Sequence, residues 1–212
     1  MSAPQIPTSP IARLQRFARP TQPQKRCDLC GAPIAVEHPH LLELKSRQLA
    51  CSCSACAILF SSETARGYRR IPDRVRLLRD LDISDVVWES LCIPINLAFF
   101  YRKTDSQRVL AIYPSPGGAM ESLLPMDNWN ELAGQCPALA EMQSDVEALL
   151  VNRIGKRREA MLVPIDACFK LVGIIRTNWQ GLSGGRDVWD NVEKFFADLY
   201  RKAGENRSLS NA

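Results

Sequence analysis

Apolar residues recur with two different periods along the second half of the chain, and the difference separates candidate strands from candidate helices. Ile95 to Arg102 and Arg108 to Tyr113 are rich in aromatic and β-branched residues and flank Lys103-Thr104-Asp105-Ser106-Gln107, a pattern that predicts a hairpin. Pro114-Ser115-Pro116-Gly117-Gly118 ends the second strand. Val146 to Val151 and Met161 to Pro164 flank a polar turn at Gly155 to Glu159 and read as paired strands, the first being compatible with helix as well. A short helix is predicted over Met126 to Gln135, capped by Asp127 and stopped before Pro137. After Asp166, read as another N-cap, Cys168, Leu171, Val172, Ile175 and Trp179 fall on one helical face. Gly184-Gly185 then breaks the chain and Asp187 caps a last helix, with Val188, Val192, Phe195, Phe196 and Leu199 on one side and an end near Arg201.

Residues 1–25 carry Pro4, Pro7, Pro10, Pro20 and Pro23 among Ser, Thr and Gln, too little apolar surface to offset ordering the backbone. They read as a disordered basic arm, within which Ile11, Leu14 and Phe17 could form one amphipathic turn. A cysteine-rich module follows over 26–68, then a mixed α/β domain over 71–202 and a flexible tail over 203–212. The link Arg66-Gly67-Tyr68-Arg69-Arg70 is the expected boundary. The fold class is α+β.

Five of the eight cysteines lie between Cys27 and Cys56, and Cys92, Cys136 and Cys168 stand singly in apolar surroundings. That is the arrangement of a metal site in a reducing compartment and not of a secreted disulfide framework. Cys27-Asp28-Leu29-Cys30-Gly31 is a knuckle: two thiolates two residues apart face one ion, and the glycine permits a left-handed turn. Cys53-Ser54-Ala55-Cys56 supplies a second pair and runs into the helix-like Ala57-Ile58-Leu59-Phe60. Between the pairs, Leu41 to Leu44 and Gln48 to Cys51 flank the turn Lys45-Ser46-Arg47. Knuckle, hairpin, then helix is the order of a treble-clef or zinc-ribbon-like module, with a structural zinc held by Cys27, Cys30, Cys53 and Cys56. Cys51, His38 and His40 are additional candidates. They read first as a buried strand cysteine and loop histidines, and alternatively as exchangeable ligands of a site that transfers metal or does redox chemistry, where iron could replace zinc.

Charge excludes some functions. Of 27 Lys and Arg, five lie in the first 26 residues with none of the 23 acids, so the remainder is nearly neutral and lacks the footprint of a nucleic-acid-binding domain. No apolar run is long enough to cross a membrane and no secretory signal is visible, so a cytoplasmic location is expected. Gly117-Gly118 and Gly184-Gly185 match neither the P-loop nor the dinucleotide spacing and read as turns. Asp73 with Arg69, Arg70, Arg74 and Arg76 reads as a solvated charged face, and Glu121, Asp127 and Asp166 as helix caps. No nucleophile, base and orienting group stand together in a recognisable catalytic spacing.

The stretches Cys27 to Gly31, Glu37 to Leu44, Leu49 to Phe60, Val109 to Leu123 and Leu162 to Trp189, with their Tyr-Pro-Ser-Pro-Gly-Gly, Val-Pro-Ile-Asp and Gly-Leu-Ser-Gly-Gly segments, resemble a bacterial family whose members occur with nickel-iron hydrogenase genes. The resemblance includes all five clustered cysteines and both histidines. It implies an accessory protein for hydrogenase assembly or cofactor delivery that binds a hydrogenase subunit or a maturation factor, and it implies no particular chemistry.

Overall fold

The computed structural model describes residues 24–60, 67–106, 108–181 and 183–209, with the side chains of the last helix described through residue 204. The arm, including the segment Ile11 to Phe17, lies outside the described residues but for its last two positions.

Six strands form the larger, wholly antiparallel sheet. They are β4 (Arg76–Leu77), β5 (Leu97–Arg102), β6 (Val109–Ser115), β7 (Gly118–Ser122), β8 (Glu147–Asn152) and β9 (Glu159–Pro164), in the order β4-β9-β8-β5-β6-β7. The central strands are buried on both sides, so they read as continuous apolar runs. Their side chains divide with the two-residue period of the pleat. Phe99, Leu150 and Val163 face one core, while Phe100, Leu149 and Leu162 face the other.

Helices cover each face. The first core is closed by α5 (Ile165–Asn178) and α6 (Gly185–Leu209), which contribute Leu171, Ile175, Val188, Val192 and Phe196. The second is closed by α2 (Asp85–Ser90), α3 (Met126–Gly134) and α4 (Pro137–Ala140); the Trp129 ring of α3 stacks on Phe100 with centroids 5.3 Å apart. This is an α+β fold with its sheet between two helical layers.

The cysteine-rich segment adds a three-stranded antiparallel sheet of β1 (His40–Glu43), β2 (Leu49–Cys51) and β3 (Tyr68–Arg70), ordered β2-β1-β3, and the short helix α1 (Ser54–Phe60). Leu42 belongs to the first core of the larger sheet, so the two sheets are joined through shared apolar packing. Charge joins them as well. Arg47 and Arg69 both donate to Asp145, and Arg74 pairs with Glu147, two carboxylates that are 1% and 0% exposed.

Five expectations change. Arg69 and Arg74 are drawn inward by buried acids and do not form a merely solvated face, and Tyr68 to Arg70, read as a link, pairs with β1. Pro125 and Pro164 occupy the N-cap positions of α3 and α5, which places Asp127 and Asp166 in the first turns. The last helix runs to Leu209, across most of the segment read as a flexible tail. Gly118 to Ser122, in which Gly118 reads as a turn and Glu121 as a cap, is an edge strand whose exposed middle residues give no apolar period.

Candidate metal centres

The first centre is built by two local turns. In the knuckle, Gly31 takes φ +72°, its N–H donates to the Cys27 carbonyl at 2.8 Å, and the Cys27 N–H donates to the Ala32 carbonyl at 2.8 Å. The second pair opens α1. The Ala57 N–H donates to the Cys53 carbonyl, and the Cys56 N–H points at the Cys53 Sγ, 3.4 Å away, so a sulfur takes the place of the usual capping oxygen.

The Sγ atoms of Cys27, Cys30, Cys53 and Cys56 all lie within 4.8 Å of one another, with Cys30 and Cys53 separated by 3.8 Å. Thiolates bound at about 2.3 Å around a tetrahedral ion stand about 3.8 Å apart, so the set fits one four-coordinate cation. The four cysteines are positioned to bind a metal ion.

The protonation chemistry agrees with that arrangement. Burial pushes the Cys56 thiol up to about 12, helped by the surrounding thiols of Cys30, Cys53 and Cys27. Burial raises Cys27 too, yet the backbone amides of Cys53, Cys30 and Leu29 outweigh it and bring that thiol down to about 6. For Cys30 the Ala32 amide acts downward, while the Cys27 and Cys53 thiols and burial leave it raised. Cys27 thus collects the available donors as a thiolate, and Cys30 and Cys56 hold their protons until a cation replaces them.

His38, His40 and Cys51 do not join this set. Their ligand atoms form a second group, also within 4.8 Å of one another. The strand register explains the gathering: His40 stands opposite Cys51 in the β1–β2 pair, and the buried Ser52 donates both its N–H (2.9 Å) and its hydroxyl (3.0 Å) to the Pro39 carbonyl. Asp28 fixes the other side, accepting the Cys51 N–H at 2.6 Å and donating its own N–H to the Cys51 carbonyl at 2.8 Å. Burial and the Asp28 charge hold the Cys51 thiol above its ordinary value.

A partner invisible to local sequence reading completes the second group. Asp166, in the first turn of α5, lies with Oδ2 2.6 Å from His40 Nδ1, across 126 residues of chain. His38, His40 and Asp166 line a groove of about 1140 Å³ that runs past Lys170 and Asp198.

A protein with a four-cysteine centre packed on an antiparallel α+β domain is the class that fold and site define. The chain belongs to a family of unknown function, DUF5947, whose profile matches residues 26–203. No curated protein and no solved structure matches it. Among the described residues no helix is long and apolar enough to cross a membrane.

Proposed function

We propose that this protein is a zinc-binding accessory or adaptor that assists nickel-iron hydrogenase assembly or maturation in the cytoplasm through protein–protein binding. The observation that carries the metal reading is the four-sulfur set with its 3.8 Å edge between Cys30 and Cys53. Zinc suits it: the ligands are all thiolate, two of them are nearly buried, and a closed four-coordinate shell is the structural form of zinc site. The order of knuckle, hairpin and a helix bearing the second pair supports a treble-clef reading of the module.

The hydrogenase context rests on the sequence resemblance alone. Its test is co-purification: tagged full-length protein expressed in cells that make hydrogenase captures a hydrogenase subunit or a maturation factor, and the Cys30→Ser variant does not. Failure to capture either with the metal-loaded protein removes the hydrogenase reading and leaves the zinc centre.

A second reading, a redox or metal-transfer protein holding iron or exchangeable zinc, is favoured by one observation, the separate gathering of His38, His40 and Cys51. A nucleic-acid-binding regulator is the weakest alternative, since its basic residues are concentrated in the arm.

A further inference from the structure

We infer that His38, His40 and Cys51 form a second metal site, with three protein ligands and an open position facing the groove, and that Asp166 orients His40 from behind. The inference is independent of the adaptor reading, because it concerns different side chains from the four-cysteine centre.

Tautomers carry the argument. His38 Nδ1 lies 2.9 Å from the Ala35 carbonyl and 3.0 Å from the Val36 carbonyl. Carbonyl oxygens only accept, so Nδ1 bears a hydrogen and Nε2 is the nitrogen left to bind a metal. His40 Nδ1 meets the Asp166 carboxylate, which also accepts, so His40 Nε2 is likewise the nitrogen left to bind a metal. Asp166 sits in the first turn of α5, where the helix dipole favours a negative charge, and its Oδ1 takes the Ala167 N–H at 2.8 Å. The two Nε2 atoms then face each other at 3.2 Å. Such a contact needs a positive charge between the two nitrogens, a proton or a metal ion, and the spacing and the third donor argue for the metal.

The spacing fits a metal. Imidazole nitrogens bound at about 2.0–2.1 Å around a tetrahedral ion stand about 3.3–3.4 Å apart, against the observed 3.2 Å. Cys51 Sγ, within 4.8 Å of a ring nitrogen of each histidine, gives a third donor. A histidine ligand whose other nitrogen is held by a carboxylate is the usual outer arrangement of such sites. Three protein ligands leave one position for water or an incoming donor, the form taken by sites that exchange ligands and not by closed structural ones. One thiolate with two imidazoles suits a divalent first-row transition ion such as zinc or cobalt.

The experiment uses the full chain with its four-cysteine centre filled with zinc and weakly held ions removed by a chelator, titrated with cobalt(II) under anaerobic conditions. The native protein should take up one equivalent with the visible d–d absorption of a low-coordinate ion and a single-thiolate charge-transfer band. His40→Ala should abolish that uptake, Cys51→Ser should remove the charge-transfer band, and Asp166→Asn should weaken binding roughly 10- to 100-fold. Each variant should retain its zinc, which shows that the module is folded. Cobalt entering only the four-cysteine centre would be insensitive to His40→Ala and lost in Cys30→Ser, and would overturn the inference without touching the adaptor reading. No uptake by the native protein would mean that the two nitrogens share a proton instead, and would overturn it equally.

Discussion

Arg74 holds Glu147 in a two-point clasp, Nε to Oε1 at 2.7 Å and Nη2 to Oε2 at 2.9 Å, and the carboxylate it holds is fully buried beside the Gln143 N–H, which Oε2 also accepts at 2.9 Å. A second buried acid, Asp145, is shared by Arg47 and Arg69 of the cysteine-rich sheet. The module is thereby fixed to the larger domain by arginines that reach into it.

Removing Arg74 leaves a buried charge with no counter-ion. Arg74→Ala should cost about 3–5 kcal/mol, because the loss is the desolvation of Glu147 and not the modest worth of a surface pair. Thermal unfolding followed by circular dichroism should show a midpoint lower by roughly 10 °C. An unchanged midpoint would mean that Glu147 is solvated or protonated.

Two glycines should respond to alanine with opposite signs. Gly184 has φ +89°, and a Cβ there would lie 2.8 Å from Val188 Cγ1 and 3.2 Å from the Trp179 ring, so Gly184→Ala should destabilise by about 2–4 kcal/mol through backbone strain and overpacking. Gly173 lies inside α5 with nothing within 4 Å of its added Cβ. Gly173→Ala should stabilise by about 0.5–1 kcal/mol. Denaturant midpoints of the pair check both signs.

What could be read from sequence was what is local. The cysteine pairs were legible because metal-ligand spacing is set within one turn, as in the Cys27 to Gly31 knuckle. β5, β6, β8 and β9 were legible as apolar runs bounded by turns, and the faces of α5 and α6 because their apolar positions repeat with the helical period. β7 was not, since its existence depends on pairing with β6 and its residues carry no apolar alternation. Arg69 and Arg74 looked like surface charge because nothing nearby in the chain reveals Asp145 or Glu147. Asp166 was read as a cap. Its carboxylate instead reaches His40, a relationship that only the folded chain creates.

The thiols of the first centre predict how its affinity depends on pH. Without metal near pH 7, Cys56 and Cys30, both raised above the ordinary thiol value, hold protons, while Cys27, at about 6, is largely ionised. A metal ion expels those protons, so affinity rises with pH, by about 10-fold per unit for each proton released. The protons of Cys30 and Cys56 alone give at least about 100-fold between pH 6.5 and 7.5, and protonation of Cys27 adds to the loss below about 6. Competition against a chromophoric chelator at the two pH values measures this; equal affinities would show that the thiols are already ionised.

The most direct test of the metal centre is elemental analysis with an absorption spectrum on protein purified without oxygen, for the native chain and for Cys30→Ser. Zinc that gives no colour and resists a weak chelator in the native protein, and is lost in the variant together with protease resistance over residues 27–60, is the predicted result. A Cys30→Ser protein that keeps its full metal content and its protease resistance would contradict the four-cysteine centre, and iron with charge-transfer bands in the native chain would contradict zinc.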